Sequence, residues 1–314
     1  ADAAAERIWE ISYRIQSVIT ECRKAKNAEM RETYMNIKIT SDSTCDLSSD
    51  LLEKYNIDII PLHIEKENDM FQDGVDIFPE DIFKHVYAGG ALCTTSAVNP
   101  DEYQLFFQSL VGQYEAVIHI NLGSGFSSCY QNACIAAKDF ANVFVVDSRN
   151  LSTGQGHVVM EAAVKAQAAC SANDILKHLE RIIPKIRASF LLDRLDYMVK
   201  GGRCSSVLAL GANLLSLKPC IEVEDGKMKV GKKYRGTLQK CLLHYVEDKL
   251  EQRSIIIPER IFVTHTTINP ETAKSVIDAV NQTKHFEHVY ETDAGCTVSS
   301  HCGPGTLGIL FIES

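Results

Sequence analysis

A chain of 314 residues that is 45% hydrophobic and 23% charged is long and apolar enough to bury a large core, and its composition is not that of a disordered protein. Its net charge of -9 argues against a nucleic-acid binder, which needs a concentrated basic surface, and against nonspecific attraction to an anionic membrane. No apolar run reaches the roughly twenty residues of a membrane span, and the N-terminus lacks a signal-peptide core. A soluble, cytoplasmic protein without stable membrane insertion is the expectation. The eleven cysteines form no CxxC pair. No second pair of ligands follows His301 and Cys302 at finger-like spacing, so small buried thiols are expected, not a metal site.

In chain order, Ile8, Ile11, Ile15, Val18 and Ile19 recur at helical spacing within residues 1–35. They predict an amphipathic N-terminal extension whose apolar stripe needs cover, either from the body or from a second subunit in a homodimer. Ile37 to Thr40 reads as a strand, Asp50 to Tyr55 as a helix capped by Ser48 or Ser49, and Ile57 to Ile60 as the next strand. Pro79 sits in the first turn of a helix, and another follows from Asp101. Ala116–Ile120 and Asn142–Val146 are strands separated by a helix from about Ser127 to Phe140. This β-α-β-α rhythm implies a parallel sheet covered on both faces.

The pattern changes near Cys170. A helix runs from about Ser171 to Ile183, and Asp225-Gly226 between two short apolar runs signals a hairpin with a type I′ turn. Strands at Ile261–Thr264 and Leu307–Ile312 flank a helix at Glu271–Gln282. The fold class is therefore α/β in two domains: an N-terminal parallel-sheet domain over residues 36–170, then a mixed α+β domain over 171–314.

Four segments carry candidate chemistry. Asn121-Leu122-Gly123-Ser124-Gly125-Phe126-Ser127-Ser128 sits between a strand and a helix, where backbone N–H groups and a helix N-terminus favour an anion. An ordinary strand-to-helix turn has the same appearance. Thr94-Thr95-Ser96 is a hydroxyl cluster in a loop ahead of a helix, where such clusters also serve as caps. Lys200-Gly201-Gly202-Arg203 places cations around a flexible glycine pair, suited to an acidic group or to a solvated loop. His301 precedes the Gly303-Pro304-Gly305 turn. Asp42 and Asp147 end strands where open α/β sheets place ligands. There is no Gly-x-Ser-x-Gly elbow.

In this order, the segments resemble the DegV family of bacterial fatty-acid-binding proteins from about Asn36 to the C-terminus. Ile39-Thr40-Ser41-Asp42-Ser43-Thr44 is similar to the family's opening strand and Asp-Ser-Thr loop, and Thr94-Thr95-Ser96 to its Thr-Ser-Gln-Pro loop. Leu122 to Tyr130 is similar to its Ser-Ser-x-Leu-Ser-Gly-Thr-Tyr turn. Tyr197 to Arg203 and His301 to Gly308 are the most specific matches. The departures are Ala97-Val98 in place of Gln-Pro, Gly123 for the first serine, Ser128 for glycine and Cys129 for threonine. The resemblance implies a buried long-chain fatty acid whose carboxylate is held by Thr95, Ser96 and Ser124, with Arg203 and His301 at the carboxyl end. It also implies delivery to a partner fatty acid kinase, with no catalytic residue, metal or cofactor of the chain's own. The competing expectations are a stand-alone phosphate- or acyl-handling hydrolase using Asp42, Ser124 and His301, and a non-catalytic regulatory scaffold.

Overall fold

A computed structural model describes residues 37–208, 217–251 and 253–314. The expected helix at residues 1–35, and the homodimer that would use it, lie outside the described residues.

The first half builds a parallel sheet. Strand β1 (Ile37–Asp42) leads through helix α1 (Ser49–Lys54) to β2 (Ile57–Ile60). Two short strands, β3 (His63–Lys66) and β4 (Asp69–Gln72), then precede helix α2 (Pro79–Tyr87) and β5 (Thr94–Ser96). Helix α3 (Pro100–Val111) starts at a capping box, in which Asn99 accepts from the Glu102 amide and Glu102 accepts from the Asn99 amide. Strand β6 (Ala116–Asn121), helix α4 (Cys129–Ala137), β7 (Val143–Asp147) and α5 (Ser152–Gln167) complete the half. The order is β2-β1-β6-β7, all parallel. Every residue of β6 is buried, as expected for a strand covered on both faces. Its one ionisable residue, His119, hydrogen-bonds Thr40 Oγ1 at 2.8 Å and is ringed by Tyr103, Phe106 and Phe107. Burial pushes its pKa down to about 3.

The second half forms a six-stranded sheet. Helix α6 (Ala172–Ile182) is followed by β8 (Ile186–Leu191), α7 (Asp196–Gly201), α8 (Ser205–Leu208), β9 (Leu217–Glu224) and β10 (Lys227–Arg235). Helix α9 (Leu238–Lys249), β11 (Arg260–His265), α10 (Pro270–Gln282), β12 (His288–Asp293), α11 (Cys296–Cys302) and β13 (Leu307–Ile312) follow. The order is β10-β9-β8-β13-β11-β12, antiparallel except for β11 with β12. The expected hairpin turn is present: Asp225 and Gly226 have φ of 48° and 73°, the two positive values a type I′ turn requires.

One element departs from the expectations, and another, α5, falls in a stretch for which there was none. The hydroxyl cluster at 94–96 is a strand, not a loop: β5 pairs antiparallel with β3, Thr95 opposite Ile64, in a small sheet of order β4-β3-β5. Its three residues show no apolar alternation, and its pairing partner is remote in sequence. Helix α5 carries no apolar stripe because it has no solvent face to balance one. Residues Ser152 to Met160 are all buried, and the helix packs between the two large sheets. Its polar side chains stitch them together: Gln155 donates to Ser41 Oγ and Asp42 at 2.9 Å, and Thr153 bonds Thr264 at 2.6 Å. His157 Nε2 donates to the Leu310 carbonyl at 2.9 Å.

The tightness of this helix can be measured. A Cβ at Gly156 would stand 2.8 Å from the Cys45 carbonyl oxygen, whereas one at Gly112 would meet nothing within 4 Å. Gly156→Ala should therefore lower unfolding free energy by about 1–3 kcal/mol, while Gly112→Ala leaves it near the wild-type value. Urea denaturation of the two variants checks the contrast.

Candidate functional site

The site lies where the ends of β1, β5 and β6 meet helix α11. At the end of β1, the buried Asp42 accepts from the Leu122 amide at 2.7 Å, from Thr44 Oγ1 at 2.5 Å and from Gln155. Burial raises its pKa, against the hydrogen bonds of Thr44 and Gln155. Its acceptor sites are spent on shaping the crevice.

Helix α11 is fixed at both ends. At its N-terminus, Asp73 accepts from the amides of Cys296 (2.8 Å) and Thr297 (3.0 Å) and from the Thr297 hydroxyl (2.7 Å). Asp46 accepts from the Gly295 amide at 2.9 Å and from Ser152 at 2.5 Å. Burial lifts the Asp46 carboxyl to about 8, and the neighbouring charges of Asp73 and Asp42 push the same way. In the last turn, His301 Nε2 and Thr95 Oγ1 share a hydrogen bond of 2.8 Å. The buried Nδ1 has no partner among the described residues. Burial, with the charge of Arg203 second, lowers the His301 pKa to about 4, so the imidazole is neutral at pH 7.

Around this pair lies a cavity of about 140 Å³. Thr95, Ser96, Ser127, Ser128, Arg203 and His301 give it polar atoms; Leu62, Leu122, Phe126, Leu151, Met198 and Val298 give it apolar walls. Arg203 is exposed and folds back so that Nη1 donates to the Gly201 carbonyl at 2.7 Å. Ser128 caps α4 without a side-chain cap bond. Cys302 also lines the cavity, but burial pushes its thiol up to about 12, so it stays protonated.

Ser124 is placed differently. It does not line the cavity: its amide and hydroxyl donate to Asp147 at 3.0 and 2.5 Å. The serines of this turn that do reach the cavity are Ser127 and Ser128. Asp42, Ser124 and His301 are thus each committed to a different partner and are not hydrogen-bonded to one another. Among the described residues no group of three or more His, Cys, Asp or Glu could hold a metal, and no helix is long and apolar enough to cross a membrane.

Comparison with known proteins bears on this architecture. The model described as an uncharacterised protein of the DegV family matches residues 36–314. The chain belongs to the DegV family. A DegV domain-containing protein of Caldanaerobacter subterraneus is 33% identical over 279 residues, covering 88% of this chain and 99% of the relative. Protein DegV of Bacillus subtilis is 30% identical over 280 residues, covering 88% of this chain and 99% of the relative. Among solved structures, a fatty-acid-binding DegV-family protein from Thermus thermophilus superposes with a TM-score of 0.82 at 25% identity, over 89% of this chain and all (100%) of that one. DegV of Bacillus subtilis, described as a fatty acid binding protein, superposes with a TM-score of 0.79 at 29% identity, over 89% of this chain and 99% of that one. The DegV-like two-sheet α/β fold expected from sequence is the fold observed.

Within this DegV chain the motif segments converge although they are far apart in sequence. Thr95 and His301 are separated by 206 positions. The role of Ser124 was not readable from its turn, because its partner Asp147 lies 23 residues on. Thr44, Met198 and Met228 also line the cavity; the first two lie within motif segments, and nothing in its local sequence marks Met228.

Two outcomes follow from this geometry. Ser124→Ala removes a charge-assisted hydrogen bond and should lower stability by about 1.5–3 kcal/mol in thermal or urea melts, without altering the cavity lining. His301, His119 and His157 all have depressed pKa values, so the folded state binds fewer protons than the unfolded chain between those values and about 6.5. The stability they allow is fully present above about 6.5 and is lost as pH falls through about 4 and then about 3. In His301→Gln, the fall between pH 6.5 and 4 should be shallower than in wild type when unfolding free energy is measured against pH.

Proposed function

We propose that this protein binds a long-chain fatty acid with its head group in the cavity beside α11 and presents its carboxylate to a partner kinase. The observation that carries the reading is the chemical division of the cavity. Arg203, the Thr95–His301 pair and the Ser127–Ser128 turn supply a cation and hydrogen-bond donors, and Leu62, Leu122, Phe126, Leu151, Met198 and Val298 supply an apolar surface beside them. The solved relatives from Thermus thermophilus and Bacillus subtilis are described as fatty-acid binding, and one from Eubacterium ventriosum as a stearic-acid-binding protein; these support the assignment.

The energetics agree with an acyl ligand. Each buried CH₂ contributes about 0.8 kcal/mol, and each hydrogen bond to a charged carboxylate about 1.5–3 kcal/mol. The tail dominates affinity and the head group fixes orientation. A neutral His301 suits this role, since it offers one ring nitrogen to Thr95 without bringing a second buried charge. In the kinase step, a carboxylate oxygen attacks the γ-phosphorus of ATP, the bond to the β–γ bridging oxygen breaks, and ADP leaves with the acyl phosphate as product. Arg203, exposed beside the cavity, is suited to stabilise the anionic phosphoryl group as it transfers.

Mass spectrometry of lipid extracted from purified protein should yield a long-chain fatty acid near one equivalent. Persistent absence of lipid, with no uptake of added palmitate, would sink the binding reading. Thr95→Ala should weaken palmitate binding by about 1–3 kcal/mol in calorimetry. Arg203→Ala should retain lipid yet lose most acyl-phosphate formation in an assay with ATP and the kinase of the same organism. Wild-type rates in that assay would remove Arg203 from the transfer step.

A further inference from the structure

We propose that Gly201 is a positioning residue for the head-group site: its missing side chain forms the seat for the His301 ring, and its carbonyl holds Arg203. This rests on the reading above only in taking His301 and Arg203 as head-group residues.

The two glycines of Lys200-Gly201-Gly202-Arg203 are glycine for different reasons. Gly202 has φ of 68° and ends α7 in the left-handed region, its amide donating to the Met198 carbonyl at 3.2 Å. A Cβ there would meet nothing within 4 Å, so its requirement is conformational. Gly201 does not have a positive φ, and its backbone would suit any residue. Its requirement is space: a Cβ at Gly201 would stand 2.3 Å from His301 Nδ1 and 3.3 Å from Cε1 and Cγ of the same ring.

Nδ1 is buried and lacks a hydrogen-bond partner among the described residues, so the ring is located by one hydrogen bond, to Thr95 at 2.8 Å, and by the flat surface of Gly201. A methyl group placed there would force the ring away and break the Thr95 bond. Helices α7 and α11 cross at close range here. A Cβ at Gly303 would come within 2.6 Å of the Tyr197 ring. The carbonyl of Gly201 accepts from Arg203 Nη1 at 2.7 Å, so one residue sets the positions of both the imidazole and the guanidinium.

The test is Gly201→Ala, read by NMR of ¹⁵N-labelled histidine, with the His301 signals assigned by their loss in His301→Ala. In wild type, His301 should titrate near 4. In Gly201→Ala the ring is displaced from its buried seat, and the titration should move up towards the ordinary value of about 6.5. Palmitate affinity should fall at least about tenfold (roughly 1.4 kcal/mol). In the His301→Ala background the same substitution should change palmitate affinity less than about twofold, since the added methyl group occupies the space the ring has left. An unshifted His301 titration in Gly201→Ala, or an equal loss of affinity with and without His301, overturns the proposal. A shifted titration with unchanged palmitate affinity upholds the seat and instead refutes the fatty-acid reading of this site. If Gly201→Ala does not fold, recovery of a cooperative melt in Gly201→Ala/His301→Ala supports the steric seat, and failure to recover overturns it.

Discussion

The arrangement depends on two buried carboxylates at one short helix. Asp73 and Asp46 receive the amides that begin α11, and they come from the first half of the chain, while α11 belongs to the second. Free N–H groups at a helix start need partners, and here those partners are supplied across 223 to 249 positions of sequence. That contact orients α11 so that its last turn faces β5. His301 is thereby brought to Thr95. Burial is the main reason that Asp46 holds its proton, and the charges of Asp73 and Asp42 add to it.

Much of the fold was legible because local chemistry agreed with it. Continuous apolar runs such as Ala116–Ile120 are strands of a covered parallel sheet. Asp225-Gly226 is the hairpin turn its dihedrals demand, and Asn99-Pro100 opens a helix. What stayed hidden was whatever depends on remote partners. Helix α5 looks polar because Thr153, Gln155 and His157 point into protein on all sides, where each finds a distant hydrogen bond. Strand β5 exists only because β3 pairs with it. The site was legible in the same uneven way. His301 and Arg203 stood out through the glycine turns beside them, and both border the cavity. Ser124 stood out for the same kind of reason and does not, because Asp147 claims it.

Polarity within the core has a structural purpose. Apolar contacts alone would let α5 rotate or slide between the sheets at little cost. A buried hydrogen bond that must be satisfied permits one register, since leaving a partner dry and unpaired costs about 1–3 kcal/mol. Gln155 on Ser41 and Asp42, and His157 on the Leu310 carbonyl, therefore lock the helix to one sheet on each side. The cavity inherits that definition, since Leu151, at the head of α5, is one of its walls.

The 206-residue separation between Thr95 and His301 has a meaning during synthesis. Chains emerge from the ribosome at about 5–20 residues per second, so β5 waits roughly 10–40 s before its partner histidine exists. Over that interval the first half can form its parallel sheet, yet the Asp73 and Asp46 acceptors have no helix to receive. The cavity is closed only once α11 has been made, and a chain interrupted before it carries only part of the lining. The closing of the cavity thereby waits on the synthesis of α11.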